Sequence, residues 1–353
     1  MKPLRLLLGI TISVVCLWLA VRNVPFSDLA TALTGARCVW LALAVLVLLL
    51  AIIARAKLWA TLLGGGVRLA DSFWSEGIGY LFTNVLPLRM GEPARVFVMA
   101  KRSGLPIVQV ATTAAIERLL DVIAILLALI AILPWMDVPH PVRRAGFAFG
   151  LVVLVVVLAL IVLVRLNSRG ERLLRGICGY LPFIPMEKTL IIWQELVAGT
   201  AILFCIQVAV RALVLSLATW TLSAGAYFCF LRSFQADATF VEAIFMLVAV
   251  CLAVSLPSSP GFIGVFQWVG QQALVLPFNN KYDHASALAI TLTLHLITYV
   301  FTSLLGVIGL SRFGLSFVNL RKNIAEEPKN HKIEDELTLN ASYGVDCHKS
   351  IQK

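Results

Sequence analysis

Asn84, Pro87, Arg89, Glu92 and Arg95 interrupt an oily stretch at 79–95 that reads Gly-Tyr-Leu-Phe-Thr-Asn-Val-Leu-Pro-Leu-Arg-Met-Gly-Glu-Pro-Ala-Arg. A polar, proline-broken segment at membrane depth lines a protein-buried or watery cavity, because lipid cannot satisfy free backbone N–H and C=O groups. Residues 73–88 are too few to cross a ~30 Å hydrocarbon core as a helix, which predicts a re-entrant half-helix ending at Pro87. Pro93 suits the first position of a following helix, with Glu92 just ahead of it. Arg89 and Arg95 add positive charge near that N-terminus. Free N–H groups and guanidiniums together form an anion site, and the nearest anion is a lipid phosphate. An interfacial loop whose arginines reach out to bulk headgroups accounts for the same residues.

A second polar group lies inside an apolar run. Glu117 and Asp121 are four residues apart and Arg118 and Asp121 three apart, so all three share one arc of a helix. If that helix starts near Ile107, Glu117 sits ~15 Å along it, close to mid-membrane. Each such charge costs roughly 2.5 to 3.5 kcal/mol unless paired or hydrated, so the arc does not face lipid. It is either a self-neutralising network that fixes helix packing or the wall of a cavity shared with Arg89 and Glu92.

The third group reads Leu-Pro-Ser-Ser-Pro-Gly-Phe-Ile-Gly at 256–264. Pro257 ends one helix, Ser258 or Ser259 can cap, Pro260 begins the next, and Gly261 and Gly264 admit a close backbone or ligand. A tight interhelical hairpin without ligand is the alternative. Gln267 lies one turn beyond Gly264. His295 falls inside the last apolar run with Tyr299 four residues on, and is either a hydrogen-bonded packing residue or part of a functional site.

The elements that must position these groups follow from composition. Of 353 residues, 60% are hydrophobic and 14% charged, which excludes a soluble globular domain and predicts an all-α, polytopic membrane helix bundle. Apolar runs at 4–21, 39–53, 107–133, 145–164, 207–231, 241–256, 262–278 and 285–310 predict about eight spans, with one or two re-entrant or broken helices. The segment 195–231 reads as one long span with an interfacial helix or as two short spans. Lys2 and Arg5, then Arg55, Lys57 and Arg68, then Arg165, Arg169, Arg172, Arg175 and Lys188 mark the cytoplasmic loops and place both termini in the cytoplasm. Trp18, Val21 and Arg22 form no small-residue cleavage site, so the first run reads as a retained signal anchor rather than a signal peptide.

Seven scattered cysteines without a Cys-x-x-Cys pair or His cluster predict no metal, cofactor or disulfide framework. The net charge of +10 is spread over span ends and reflects topology and anionic lipid rather than nucleic acid. Residues 1–313 then form the membrane domain, and 314–353 a polar, disordered cytoplasmic tail.

These segments resemble the integral membrane region of lysylphosphatidylglycerol synthetase and its stand-alone, flippase-like relatives. The family's Asn, Leu-Pro, Arg, Gly-Glu and later Arg match Asn84, Leu86, Pro87, Arg89, Gly91, Glu92 and Arg95. Its Glu-Arg followed by Asp matches Glu117, Arg118 and Asp121, and its Pro-x-Ser-Pro-Gly-x-x-Gly-x-Phe matches Pro257, Ser259, Pro260, Gly261, Gly264 and Phe266. The resemblance covers roughly 4–313. Gln267 departs from it, since the family commonly carries Glu there, and relatives vary between Arg and His at the site equated with His295. No aminoacyl transferase domain accompanies the membrane region, so lysyl transfer is not expected.

The resemblance implies handling or translocation of a phospholipid or a polyprenyl-linked sugar across the cytoplasmic membrane, with no cofactor. Arg89 and Arg95 then hold a phosphate-bearing headgroup, Glu92, Glu117 and Asp121 set cavity polarity, and the Pro260–Gly264 turn closes its far wall. Two rivals stay open. One is an intramembrane transferase acting on polyprenyl phosphate with Glu92 or Asp121 as base; the chain has no Asp-x-Asp motif, Gly-rich phosphate loop or nucleophile set to support it. The other is an accessory partner of a membrane glycosyltransferase.

Overall fold

A computed structural model describes residues 2–22, 24–64, 66–86, 90–132, 135, 151, 155, 205–255, 259–278 and 280–321. Among these residues the chain is all-helical. The helices are α1 (Lys2–Val21), α2 (Phe26–Thr34), α3 (Cys38–Leu62), α4 (Leu69–Val85), α5 (Gly91–Ser103) and α6 (Ile107–Ile132). After an interval outside the described residues come α7 (Ile206–Phe234), α8 (Phe240–Val254), α9 (Val265–Val275) and α10 (His284–Arg312). The expected span at 145–164 lies in that interval.

Three helices, α3, α7 and α10, are long and apolar enough to cross a membrane. A fourth candidate is the pair Thr11–Val21 and Phe26–Thr34, bent by 83°. At 26 residues, or ~39 Å, α6 also has the length, but it carries Glu117, Arg118 and Asp121 in its middle. The described residues thus hold fewer unambiguous spans than the expected eight. Of the ambiguous stretch 195–231, the part from Ile206 belongs to one 29-residue helix, and 195–204 lie outside the described residues.

Helix ends follow local chemistry. Thr239 and Glu242 form a reciprocal capping box that starts α8. Asp283 caps α10 by accepting from the Ser286 N–H at 3.1 Å. Gly104, at φ 71°, ends α5 in the left-handed region that a side chain disfavours.

α3 packs along α7, and α4 is sandwiched between α5 and α10, while α9 lies between α8 and α10 with α1 across it. The α4–α10 contact is nearly backbone to backbone. A Cβ on Gly306 would come 2.4 Å from Leu81 Cβ and 2.5 Å from the Gly77 carbonyl oxygen. On the opposite face of α4, a Cβ on Gly91 would fall 2.0 Å from Thr83 Oγ1 and 2.1 Å from the Gly79 oxygen. Small residues let these helices touch at distances that van der Waals packing in a membrane favours.

Past residue 313 the described chain still packs on α4. Phe317 packs on Phe82 with ring centroids 4.6 Å apart, and Leu320 is buried against the same α4–α5 core. Residues 322–353 lie outside the description.

Candidate functional site

The break after α4 is anchored from two sides. α4 is 17 residues long and its C-terminal cap is Leu86; Pro87 and Arg89 lie outside the described residues. Asn84 Nδ2 donates to Ser303 Oγ at 2.9 Å and to Thr302 Oγ1 at 3.1 Å, tying the end of α4 to α10. α5 begins at Gly91, two residues before the expected start at Pro93. Proline is tolerated there because first-turn N–H groups have no intrahelical acceptor. Asn84 thus faces α10, on the side of α4 away from Glu92 and Arg95.

Glu92, Arg95, Glu117, Arg118 and Asp121 do come together, and two residues not expected from the sequence join them. Arg95 Nη1 contacts Glu76 Oε1 of α4 and lies 3.2 Å from Glu117 Oε2, while its Nε reaches Glu92 Oε2 at 2.7 Å. Arg55 of α3 bonds Glu117 Oε1 at 2.6 Å and spans both Asp121 oxygens at 3.1 Å each. Arg118 bridges Glu117, Asp121 and Glu92. Trp220 Nε1 on α7 donates to Asp121 Oδ1 at 2.8 Å. Trp59 stacks under the Arg95 guanidinium, 4.6 Å from ring centroid to Cζ, and donates its indole N–H to Thr113.

Three arginines thus meet four carboxylates contributed by α3, α4, α5 and α6. The cluster is graded from inside to outside. Arg95 and Glu117 are 2% and 0% exposed, whereas the Glu92 and Arg118 side chains are 45% and 47% exposed. Buried carboxylates hydrogen-bonded to guanidiniums escape the penalty of an isolated charge, and the two half-exposed groups form the cluster's accessible edge. Arg55 was expected as a loop residue of the positive-inside pattern. It is instead inside α3, which runs nine residues past Ile53 to Leu62.

The proline-glycine turn is also rearranged relative to expectation. Pro260–Phe262 makes one turn of 3-10 helix, and α9 starts only at Val265. Gly261, Phe262 and Gly264 all have positive φ, at 67°, 60° and 93°. For Phe262 this is a backbone conformation costing about 1–2 kcal/mol. Gly264 is required sterically, because a Cβ there would be 2.0 Å from the Ser13 oxygen of α1. At Gly261 the neighbour is the Tyr299 ring, 2.7 Å from a built Cβ. Ser259 donates its N–H to Ser13 Oγ at 3.0 Å, so the close partner of this turn is α1.

Gln267 and His295 form a closed network below the turn. The Gly264 N–H donates to Gln267 Oε1 at 2.6 Å, Gln267 Nε2 lies 2.7 Å from His295 Nδ1, and His295 Nε2 lies 2.9 Å from the Gly261 oxygen. Phe266 stacks flat on the imidazole at 4.3 Å. Gln267 and His295 therefore brace the turn, and these hydrogen bonds do not extend to the arginine–carboxylate cluster. A separate groove of about 520 Å³ runs along α7, lined by Ile206, Gln207, Val210, Arg211, Val214 and Leu215.

Among the described residues no group of His, Cys, Asp and Glu has the arrangement of a metal site. The arrangement defines a helical membrane protein with a buried, internally paired charge cluster accessible at one edge. The chain belongs to the lysylphosphatidylglycerol synthase TM region family, whose model matches residues 6–306. That membership ties it to lipid modification or transport in a membrane. Comparison with curated proteins and with solved structures gives no significant match.

Proposed function

We propose that this protein binds the polar headgroup of a phosphate-bearing or glycan-linked lipid at the accessible edge of the charge cluster and moves it across the cytoplasmic membrane. The observation that carries this reading is the half-exposed Glu92–Arg118 pair, seated on a cluster whose remaining members are buried. A purely structural ion-pair network gains nothing from leaving its outermost pair open, since exposed pairs contribute only about 0–1 kcal/mol. A headgroup entering there meets an arginine for phosphate and a carboxylate for hydroxyl or ammonium groups, beside donors already fixed in place.

Arg95 is a poorer phosphate ligand than its position in the motif suggests, because Nε and Nη1 are already spent on Glu76, Glu92 and Glu117. Arg118 is also paired through all three nitrogens, but it is half-exposed and its 3.5 Å contact with the exposed Glu92 is the one a headgroup can replace, so it takes that role in this proposal. Arg89 joins it on sequence grounds, two residues ahead of α5. Both termini face the cytoplasm, as the basic residues at span ends suggest.

Mass spectrometry of lipids that co-purify in mild detergent tests the binding half of the reading. Wild type is expected to enrich one phosphate-bearing lipid class that Arg118→Ala loses. Identical bulk lipid profiles in the two proteins contradict it.

A further inference from the structure

Among the described residues, which leave out Arg89, four carboxylates against three arginines leave one negative charge uncompensated in a site walled by apolar helices. Glu76 is the acid best placed to lose its charge. Its partner contacts run through one oxygen, Oε1 to Arg95 Nη1, whereas Glu117 accepts from Arg55, Arg95 and Arg118 and Asp121 from Arg55, Arg118 and Trp220. Glu76 pairs directly with Arg95 from α5, and the other ionisable groups whose charge reaches it are Arg55 from α3, Tyr80 one turn along α4, and Glu117 and Arg118 from α6.

Unpartnered polar atoms mark the same place. Among the described residues five buried side-chain atoms have no hydrogen-bond partner; three of them, Arg95 Nη2, Ser72 Oγ and Ser75 Oγ, are on α4 and α5, and the other two, Ser216 Oγ and Arg232 Nε, are on α7. Ser72 and Ser75 are fully buried, and Arg95 is 2% exposed. By helical phase Ser72, Ser75, Glu76 and Gly79 lie on one side of α4, and Gly79 is the residue whose built Cβ would touch Arg95 Cβ. Buried hydroxyls without partners are costly unless something exchanges with them. They lie between Glu76 and the Asp71–Arg102 bridge at the accessible end of the α4–α5 pair.

We propose that the cluster carries one exchangeable proton, on Glu76, and that lipid handling by this protein is coupled to its uptake and release. Glu76 gains the proton on Oε2 while Oε1 keeps its bond to Arg95, which takes the cluster from one excess negative charge to neutrality. Release to solvent past Ser75 and Ser72 restores the carboxylate. The coupling rests on the headgroup reading above; the proton site itself does not.

Infrared difference spectroscopy of the purified full chain, titrated across the neutral range, tests the site without any lipid substrate. The expected result is a carboxylic-acid carbonyl band that titrates, disappears in Glu76→Gln and persists in Glu92→Gln. If Glu76→Gln does not fold, Glu76→Asp is expected to shift the band. No such band at any pH where the protein is folded, or a band unchanged in the Glu76 variants, overturns the proposal. Translocation measured in proteoliposomes then reads the coupling: pH dependence in wild type and none in Glu76→Gln is expected, and equal pH dependence in both overturns it. A lack of translocation in wild type with the band present contradicts the headgroup reading and leaves the proton site standing.

Discussion

Gln267 fixes the protonation of His295. Gln267 Oε1 accepts from the Gly264 N–H, so the amide nitrogen faces His295 Nδ1, which must accept; the imidazole proton is then on Nε2, donated to the Gly261 oxygen. The network holds a strained turn against α10 using one amide and one neutral imidazole. Gln267→Ala leaves both Gly264 N and His295 Nδ1 unsatisfied, and is expected to cost about 1–3 kcal/mol. Thermal unfolding in detergent measures this. Gln267→Glu presents an acceptor to Nδ1 and is expected to let His295 carry two protons, visible in its nitrogen chemical shifts.

Glu117 and Arg118 are neighbours in sequence with unequal weight in the cluster. Glu117 is fully buried and accepts from three arginines, so Glu117→Ala strands buried guanidiniums and is expected to cost about 3–5 kcal/mol. Arg118 is half-exposed but also bonds the buried Glu117 and Asp121, which keep other partners, so Arg118→Ala is expected to cost less, about 1–3 kcal/mol. Parallel thermal melts give the comparison, and equal losses would show that the outer pair is structural.

Much of this cluster is legible in the sequence because a charge within an apolar run has few places to go. Glu92, Arg95, Glu117, Arg118 and Asp121 all declare themselves that way. Arg55 does not, because it stands with Lys57 just after an apolar run and imitates a cytoplasmic loop; only the burial of Ala56, Leu58 and Trp59 shows the helix continuing. Glu76 is hidden among Ser72, Ser75 and Gly77, where it reads as one more polar residue of an amphipathic helix. Their pairing with Glu117 and Arg95 depends on how α3, α4, α5 and α6 approach, which no spacing within one helix encodes. His295 and Gln267 are likewise visible singly, but their mutual bond joins residues 28 apart.

Gly306→Ala tests the close α4–α10 contact. Its Cβ would sit 2.5 Å from the Gly77 oxygen, and backbone cannot move aside as a flexible side chain can. A loss of about 1–3 kcal/mol is expected from overpacking, read as a lower unfolding temperature. Gly104→Ala serves as a contrast, since nothing lies within 4 Å of its Cβ and its cost is the left-handed φ alone.

Asp283 gives the fold a pH-dependent increment outside the membrane helices. Burial pushes its carboxyl upward, but hydrogen bonds from the Ser286 hydroxyl and N–H outweigh this and hold it below the ordinary aspartate range. A depressed carboxylate stabilises the fold above its unfolded pKa, and the contribution fades as pH falls through the folded value. Asp283→Ala is therefore expected to cost about 1 kcal/mol at neutral pH and progressively less in acid. A constant difference across that titration would contradict the assignment.

The claim that the accessible edge at Glu92 and Arg118 receives a lipid headgroup is tested most directly by translocation of labelled phospholipids and polyprenyl-linked sugars in proteoliposomes, comparing wild type with Arg118→Ala at matched folding and reconstitution. The account predicts protein-dependent movement of one headgroup class that falls at least about tenfold in the variant, the loss that one charge-assisted contact of about 1.4 kcal/mol represents. Equal rates with wild type, with Arg118→Ala and with protein-free vesicles would contradict it.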